Sequence, residues 1–150
     1  MKTLDTDKKK RIKDSLILKT EIIDSSQLLP HEKVISERAE SLYEYLNSIE
    51  SYIILPSILV CSESNMIIDG HHRFHVLQRL KINQIPVTYI NYHSKRILTN
   101  PNNYPSKEYL IQSAKEGNLL QPKSSEHKFL DHQDELQPIL LLAQLSKVKC

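Results

Sequence analysis

Glycine is scarce in this chain. Only Gly70 and Gly117 occur in 150 residues. Neither a Walker loop nor a dinucleotide-binding G-x-G-x-x-G turn can be written with them, so any phosphate site must be built another way. Tryptophan is absent, and the tyrosines, scattered from Tyr43 to Tyr109, form no stacking platform for single-stranded nucleic acid. Cysteine is limited to Cys61 and Cys150, without metal-like spacing, which makes a reduced cytoplasmic compartment the expectation. No apolar run approaches the ~20 residues that span a bilayer, and no hydrophobic segment follows the early lysines as in a secretory signal. The formal net charge of +2 is too small to predict nucleic-acid or membrane binding by itself.

What is present fits a soluble globular chain: 39% hydrophobic and 25% charged residues, of a length that suits one domain with a real core or one domain plus an extension. Basic residues gather at Lys8, Lys9, Lys10, Arg11 and Lys13, and a flexible basic N-terminus over residues 1–15 is expected. The spacing predicts a strand over 16–23, a turn or cap at Asp24-Ser25-Ser26, and a helix over 36–48 with Ala39, Leu42, Tyr43 and Leu46 on one face. A strand over 53–61 carries Pro56 inside it and leads through a hairpin loop to Met66-Ile67-Ile68. A helix over 71–80 and a strand over 85–90 follow. Asn and Pro then mark a loop at 99–105, and Ser106 and Gly117 bracket a helix of about ten residues. Residues 138–145 read as an apolar helix or strand. The order of elements is that of a small α+β domain.

The densest chemical signal is Asp69-Gly70-His71-His72-Arg73, where a buried strand turns through one glycine into a helix. The free N–H groups and positive dipole end of such a helix suit an anion. His71, His72 and Arg73 add donors for phosphate oxygens, and Asp69 can hold a cation beside them. His71 and His75, four apart, could bind zinc with Cys61 or Glu32, but no second ligand pair at metal spacing supports that. Glu32, just before a helix, is either a general base or a carboxylate favouring the helix end. Glu37-Arg38 reads as a surface pair. Lys123-Ser124-Ser125-Glu126-His127 gathers donors suited to a phosphate or a carboxylate, against a plain solvated loop.

Three motifs in this order resemble the ParB/sulfiredoxin-like superfamily and, within it, the free L-serine kinase branch. They are Leu29-Pro30-His31-Glu32, then Asp69-Gly70-His71-His72-Arg73, then Ser106-Lys107-Glu108 with Gly117 and Pro122-Lys123-Ser124-Ser125-Glu126-His127. The similarity runs over roughly residues 20–130. It implies a small mixed sheet with flanking helices and a short helical C-terminal extension, with residues 16–98 as the nucleotide-binding core and 99–150 as a substrate-binding extension of the same domain. It also implies a phosphotransferase that uses ADP or ATP with Mg2+ to convert L-serine to O-phospho-L-serine. Glu32 and Asp69 would then be catalytic, with Asp69 also on the metal. Gly70, His71, His72 and Arg73 would hold nucleotide phosphates, and Lys123, Ser124, Ser125 and His127 the substrate. The chain departs from the family's pattern in carrying Arg96-Ile97-Leu98-Thr99 where an aromatic residue is expected. Sulfiredoxin chemistry is disfavoured because His71 stands at its cysteine position. A non-catalytic nucleotide-binding module and, less favoured, a ParB-like nucleic-acid-binding protein are the rival readings.

Overall fold

The structure is a computed structural model that describes residues 15–100 and 104–149. The Lys8–Lys13 cluster and Cys150 lie outside the described residues.

A four-stranded mixed sheet forms the centre. Its strands are β1 (Ile17–Asp24), β5 (Gln84–Ile90), β3 (Ile58–Cys61) and β4 (Ile67–Asp69), in that spatial order. β3 runs parallel to β5, and the other two pairings are antiparallel. All four residues of β3 are buried, which explains its unbroken apolar run: both faces of the sheet are covered. Ile58 and Val60 point into a cluster with Leu46, Phe74, Val76 and Leu77, from helices α1 (Ser36–Asn47) and α2 (His71–Arg79). Leu59 and Cys61 point the other way, toward Met66, Tyr92, Leu110 and Phe129. That second face is covered by helix α3 (Lys107–Glu116) and the segment after it.

The helix ends follow local chemistry. Ser106 Oγ accepts the N–H of Tyr109 at the start of α3, and Gly117 closes that helix in a left-handed conformation at φ +73°. Asp24 caps a single 3-10 turn over Ser25–Gln27 by accepting the Ser26 N–H.

The predicted strand over 53–61 is two strands. Tyr52–Pro56 (β2) leaves the central sheet and pairs antiparallel with β9 (Leu145–Lys149), while β3 belongs to the sheet. The break at Pro56-Ser57 lets Ser57 serve three neighbours. Its N–H donates to Gln144 O, its hydroxyl lies 2.7 Å from that of Thr88, and its carbonyl accepts Arg73 Nη2 at 3.1 Å. β6 (Ile97–Leu98) comes before α3, and with β7 (Lys128–Leu130) and β8 (Leu136–Pro138), which follow that helix, it forms a small antiparallel sheet. The apolar run after Pro138 is neither one helix nor one strand, but a 3-10 turn over Ile139–Leu142 followed by β9. Among the described residues, no helix is long and apolar enough to cross a membrane.

Candidate functional site

A cleft of about 710 Å³ opens where β4 turns into α2, a volume in the range of small-molecule sites. Three sequence-distant pieces line it: the end of the 28–33 segment, the start of α2, and the 123–128 loop. Backbone hydrogen bonds stitch them together. Leu29 donates to Asn65 O and accepts from Ile67 N–H on one side, while on the other Lys33 N–H donates to Leu120 O and Leu120 N–H to His31 O. Glu32, Asp69, Gly70, His71, His72, Arg73, Lys123, Ser125 and His127 all line this one cleft. Ser124 is on the same loop, with its hydroxyl buried and unpartnered.

Glu32 is held at the mouth by the 123–125 loop. One carboxylate oxygen accepts the Lys123 N–H and the other accepts the Ser125 hydroxyl at 2.9 Å. Its side chain is 13% exposed, so the carboxylate is fixed yet still reaches the cleft. Lys123 adopts φ +60°, the left-handed turn that brings its N–H round to Glu32. The Ser125 hydroxyl is turned to Glu32 and His31, which engages it in organising the site.

Gly70 takes φ +110°, and a Cβ there would meet Arg73 Nη2 at 2.9 Å and Ile58 Cγ1 at 3.2 Å. Glycine is therefore required for the strand to turn into α2 while the guanidinium folds back over the turn. Arg73 is pinned by Ser57 O and by Asp69 Oδ2 at 3.6 Å, and its Nε is buried without a partner.

The two histidines differ from the sequence expectation in one respect. Each spends its Nε2 as an acceptor: His71 takes the His31 N–H at 3.1 Å and His72 the Ile35 N–H at 2.9 Å. Both rings are therefore neutral and offer Nδ1–H as their donor. Burial drives His71 well below the ordinary histidine range, reinforced by His31 and His127, and lowers His72, with Arg38 adding to it. They are uncharged donors that also clamp the 31–35 segment.

His127 is buried, with Nε2 2.8 Å from Tyr92 Oη and Nδ1 without a partner. Burial, with His31 and Lys107, pulls its pKa down to about 3, and burial pushes the Tyr92 phenol up. A neutral phenol donating to Nε2 leaves His127 with Nδ1–H free to donate. The Ser124 hydroxyl on the same loop is also buried without a partner.

His75 is exposed and Cys61 lies inside β3, so the zinc grouping is not gathered. Among the described residues no cluster of three or more His, Cys, Asp or Glu is placed to hold a metal. Sequence reasoning missed Arg38 and Leu42 of α1 and Pro138, Ile139 and Leu140, which also line the cleft. Arg38 was read as half of a surface pair and Leu42 as core; helical spacing alone gave no sign that one edge of α1 borders a cavity. Tyr92 carries no local signal, and His31 lies in a motif that gives it no role of its own.

No family model matches the chain. It is 29% identical over 79 residues to an ATP-dependent L-serine kinase of Staphylothermus marinus, covering 51% of this chain and 31% of the relative. It is 34% identical over 77 residues to a ParB-like protein of Sulfolobus acidocaldarius, covering 51% and 37%. The matches thus span about a third of these relatives' length. The fold is similar to that of a free serine kinase in complex with AMP, at TM-score 0.61 and 14% identity over 75% of this chain and 90% of that one. A glutamate-to-alanine variant of a free serine kinase in complex with ADP matches at TM-score 0.61 and 13% identity, with the same coverage. In sequence, half of the chain is thus similar to an L-serine kinase and to a ParB-like protein, and its α+β fold is that of the free serine kinases.

Proposed function

We propose that the protein transfers a phosphoryl group from ATP or ADP to the hydroxyl of L-serine, giving O-phospho-L-serine. The observation that carries this is the position of Glu32. It is a carboxylate fixed by Lys123 N–H and Ser125 Oγ, and it faces the same cleft as the phosphate-suited Asp69–Arg73 turn. The likeness to an ATP-dependent L-serine kinase and to nucleotide complexes of free serine kinases supports the choice of donor and acceptor.

Phosphoryl transfer asks mainly for positioning and charge neutralisation. The N-terminal N–H groups of α2, the Arg73 guanidinium and the neutral Nδ1–H donors of His71 and His72 receive the nucleotide phosphates. Glu32 takes the proton of the acceptor hydroxyl as its oxygen attacks the terminal phosphorus. His127 Nδ1–H and the Lys123 ammonium, with Ser124 Oγ on the same loop, receive the amino acid's carboxylate or the product phosphate. The apolar wall of Leu42, Ile139 and Leu140 suits a nucleoside. In this reading residues 16–98 hold the nucleotide phosphates, and residues 99–150 hold the acceptor and complete the nucleoside wall.

Asp69 is a hard oxygen donor, 36% exposed beside the cleft. One carboxylate together with nucleotide phosphates and water is the usual Mg2+ environment, so the residues present fit that ion, with Asp69 holding it. When bound, Mg2+ would neutralise phosphate charge.

The test is incubation of the protein with L-serine, Mg2+ and either ATP or ADP, with O-phosphoserine followed by phosphorus NMR. Product with one donor supports the kinase and names the nucleotide. Nucleotide binding without product from either donor favours a regulatory nucleotide-binding module.

A further inference from the structure

His31 has no role in the account so far, yet its ring is fully buried against the proposed base. Its Nδ1 lies 2.8 Å from Ile67 O, and because a carbonyl only accepts, Nδ1 carries a hydrogen. Its Nε2 lies 2.9 Å from Ser125 Oγ. The same Oγ lies 2.9 Å from Glu32 Oε2.

These two contacts need two hydrogens. A neutral His31 beside an ionised Glu32 supplies only one, that of the Ser125 hydroxyl. One contact would then set lone pair against lone pair at hydrogen-bond distance. In the state ready to take the acceptor's proton one of the two contacts is therefore unmet, and both are satisfied once the trio takes up one further proton. It is then either imidazolium, hydroxyl and carboxylate, or neutral imidazole, hydroxyl and carboxylic acid. The two forms interconvert by one hop of each hydrogen along Nε2–Oγ–Oε2, with the heavy atoms in place.

We propose that His31 is a positioning residue that stores the proton Glu32 removes from the acceptor, with Ser125 Oγ as the conduit. This deepens the kinase reading and rests on it. The acceptor O–H breaks and its proton goes to Glu32. The acceptor oxygen bonds to the terminal phosphorus, and the bond from that phosphorus to its bridging oxygen breaks, the electron pair leaving with the departing nucleotide. The proton on Glu32 passes to Ser125 Oγ as Ser125's own hydrogen passes to His31 Nε2. Glu32 is again a carboxylate, Ser125 is neutral, and His31 is an imidazolium with both N–H groups bonded. The reverse hops return the proton through Glu32 when the site empties.

The surroundings suit a stored charge. The titratable groups facing His31 are Glu32 on its own segment, with Oε2 3.5 Å from Nε2, His71 at the head of α2, and His127 on the loop before β7. His71 and His127 are uncharged, so Glu32 supplies the countercharge. The backbone is pinned on both sides, with the His31 N–H on His71 and its carbonyl accepting Leu120 N–H at 2.8 Å. The ring cannot drift from Ser125.

The test is a pH series on the full chain, following the ring nitrogens of His31 by 15N NMR and the Glu32 carboxyl carbon by 13C NMR. One shared proton makes both reporters move with a single common midpoint in the wild type. In Ser125→Ala the two midpoints separate. The kcat of Ser125→Ala falls by about 100-fold, and Ser125→Thr, which keeps the hydroxyl, restores most of it. Independent midpoints in the wild type overturn the relay, as does wild-type turnover in Ser125→Ala. The wild-type spectra decide even if Ser125→Ala does not fold. They need no turnover, so absence of phosphoserine overturns the kinase reading while the shared midpoint separately decides whether the two residues hold one proton.

Discussion

Tyr92 Oη and His127 Nε2 stand 2.8 Å apart beneath the cleft, and the phenol fixes which nitrogen of the imidazole faces the ligand. Tyr92 is 1% exposed, so its hydroxyl has no water to turn to. Tyr92→Phe leaves His127 Nε2 buried and unpaired, which costs about 1–3 kcal/mol of stability. It also frees the ring to present either nitrogen. The expected result in steady-state kinetics is a higher KM for the acceptor with kcat changed less. An unchanged KM would contradict the assignment of His127 as a ligand-facing donor.

Acid should loosen this protein through its buried histidines. His127, down at about 3, and His71, well below the ordinary value of 6.5, stay neutral in the fold, whereas the unfolded chain takes up protons near 6.5. Their folded values are depressed, so the stability they contribute is fully present above about pH 6.5 and is lost as pH falls, for His127 down to about 3. The loss is up to about 1.4 kcal/mol per pH unit for each histidine. Denaturant melts at pH 6.5, 5.5 and 4.5 should show it. His127→Gln should flatten the slope, and equal slopes in wild type and variant would contradict this.

Gly70 sits where a side chain has no room. Gly70→Ala forces a side chain into φ +110° and against Arg73 Nη2. The backbone cost alone is about 1–2 kcal/mol, and the guanidinium must leave Ser57 O. Calorimetry should show weaker nucleotide binding together with the loss of stability. Intact binding in a folded variant would mean that Arg73 does not contact the nucleotide.

Removal of divalent cations should stop turnover. Asp69→Asn should raise the Mg2+ needed for half-maximal rate by about tenfold or more, since a unit charge at ~4 Å is worth ~1–4 kcal/mol near a protein surface. Rate measured against Mg2+ concentration checks this. A variant with the wild-type requirement would take Asp69 off the metal.

Much of this site was legible in the sequence because its pieces are local. The Asp69-Gly70 turn into α2, the Ser106 and Gly117 caps of α3, and the apolar run of β3 each declare themselves within a few residues. What was not legible depends on distant pairing. β6 to β9 are two to five residues long, too short to carry a period, and β9 exists because β2 leaves the central sheet at Pro56. The neutrality of His71 and His72 is set by N–H groups some 40 residues earlier in the chain. Arg38 read as surface because α1 is solvated there, and it borders the cleft only because α1 packs beside α2. His31 lay inside a motif but drew no notice, since its partners Ile67 and Ser125 are 36 and 94 residues away.

The most direct measurement compares wild type with Glu32→Gln for two quantities: O-phosphoserine formed from L-serine, and nucleotide affinity by calorimetry. Glutamine keeps the shape of the side chain and cannot take the acceptor's proton. The account predicts product from the wild type, at least about a 100-fold loss of turnover in the variant, and nucleotide affinity within a few-fold of wild type. A Glu32→Gln protein that phosphorylates serine at the wild-type rate would contradict it.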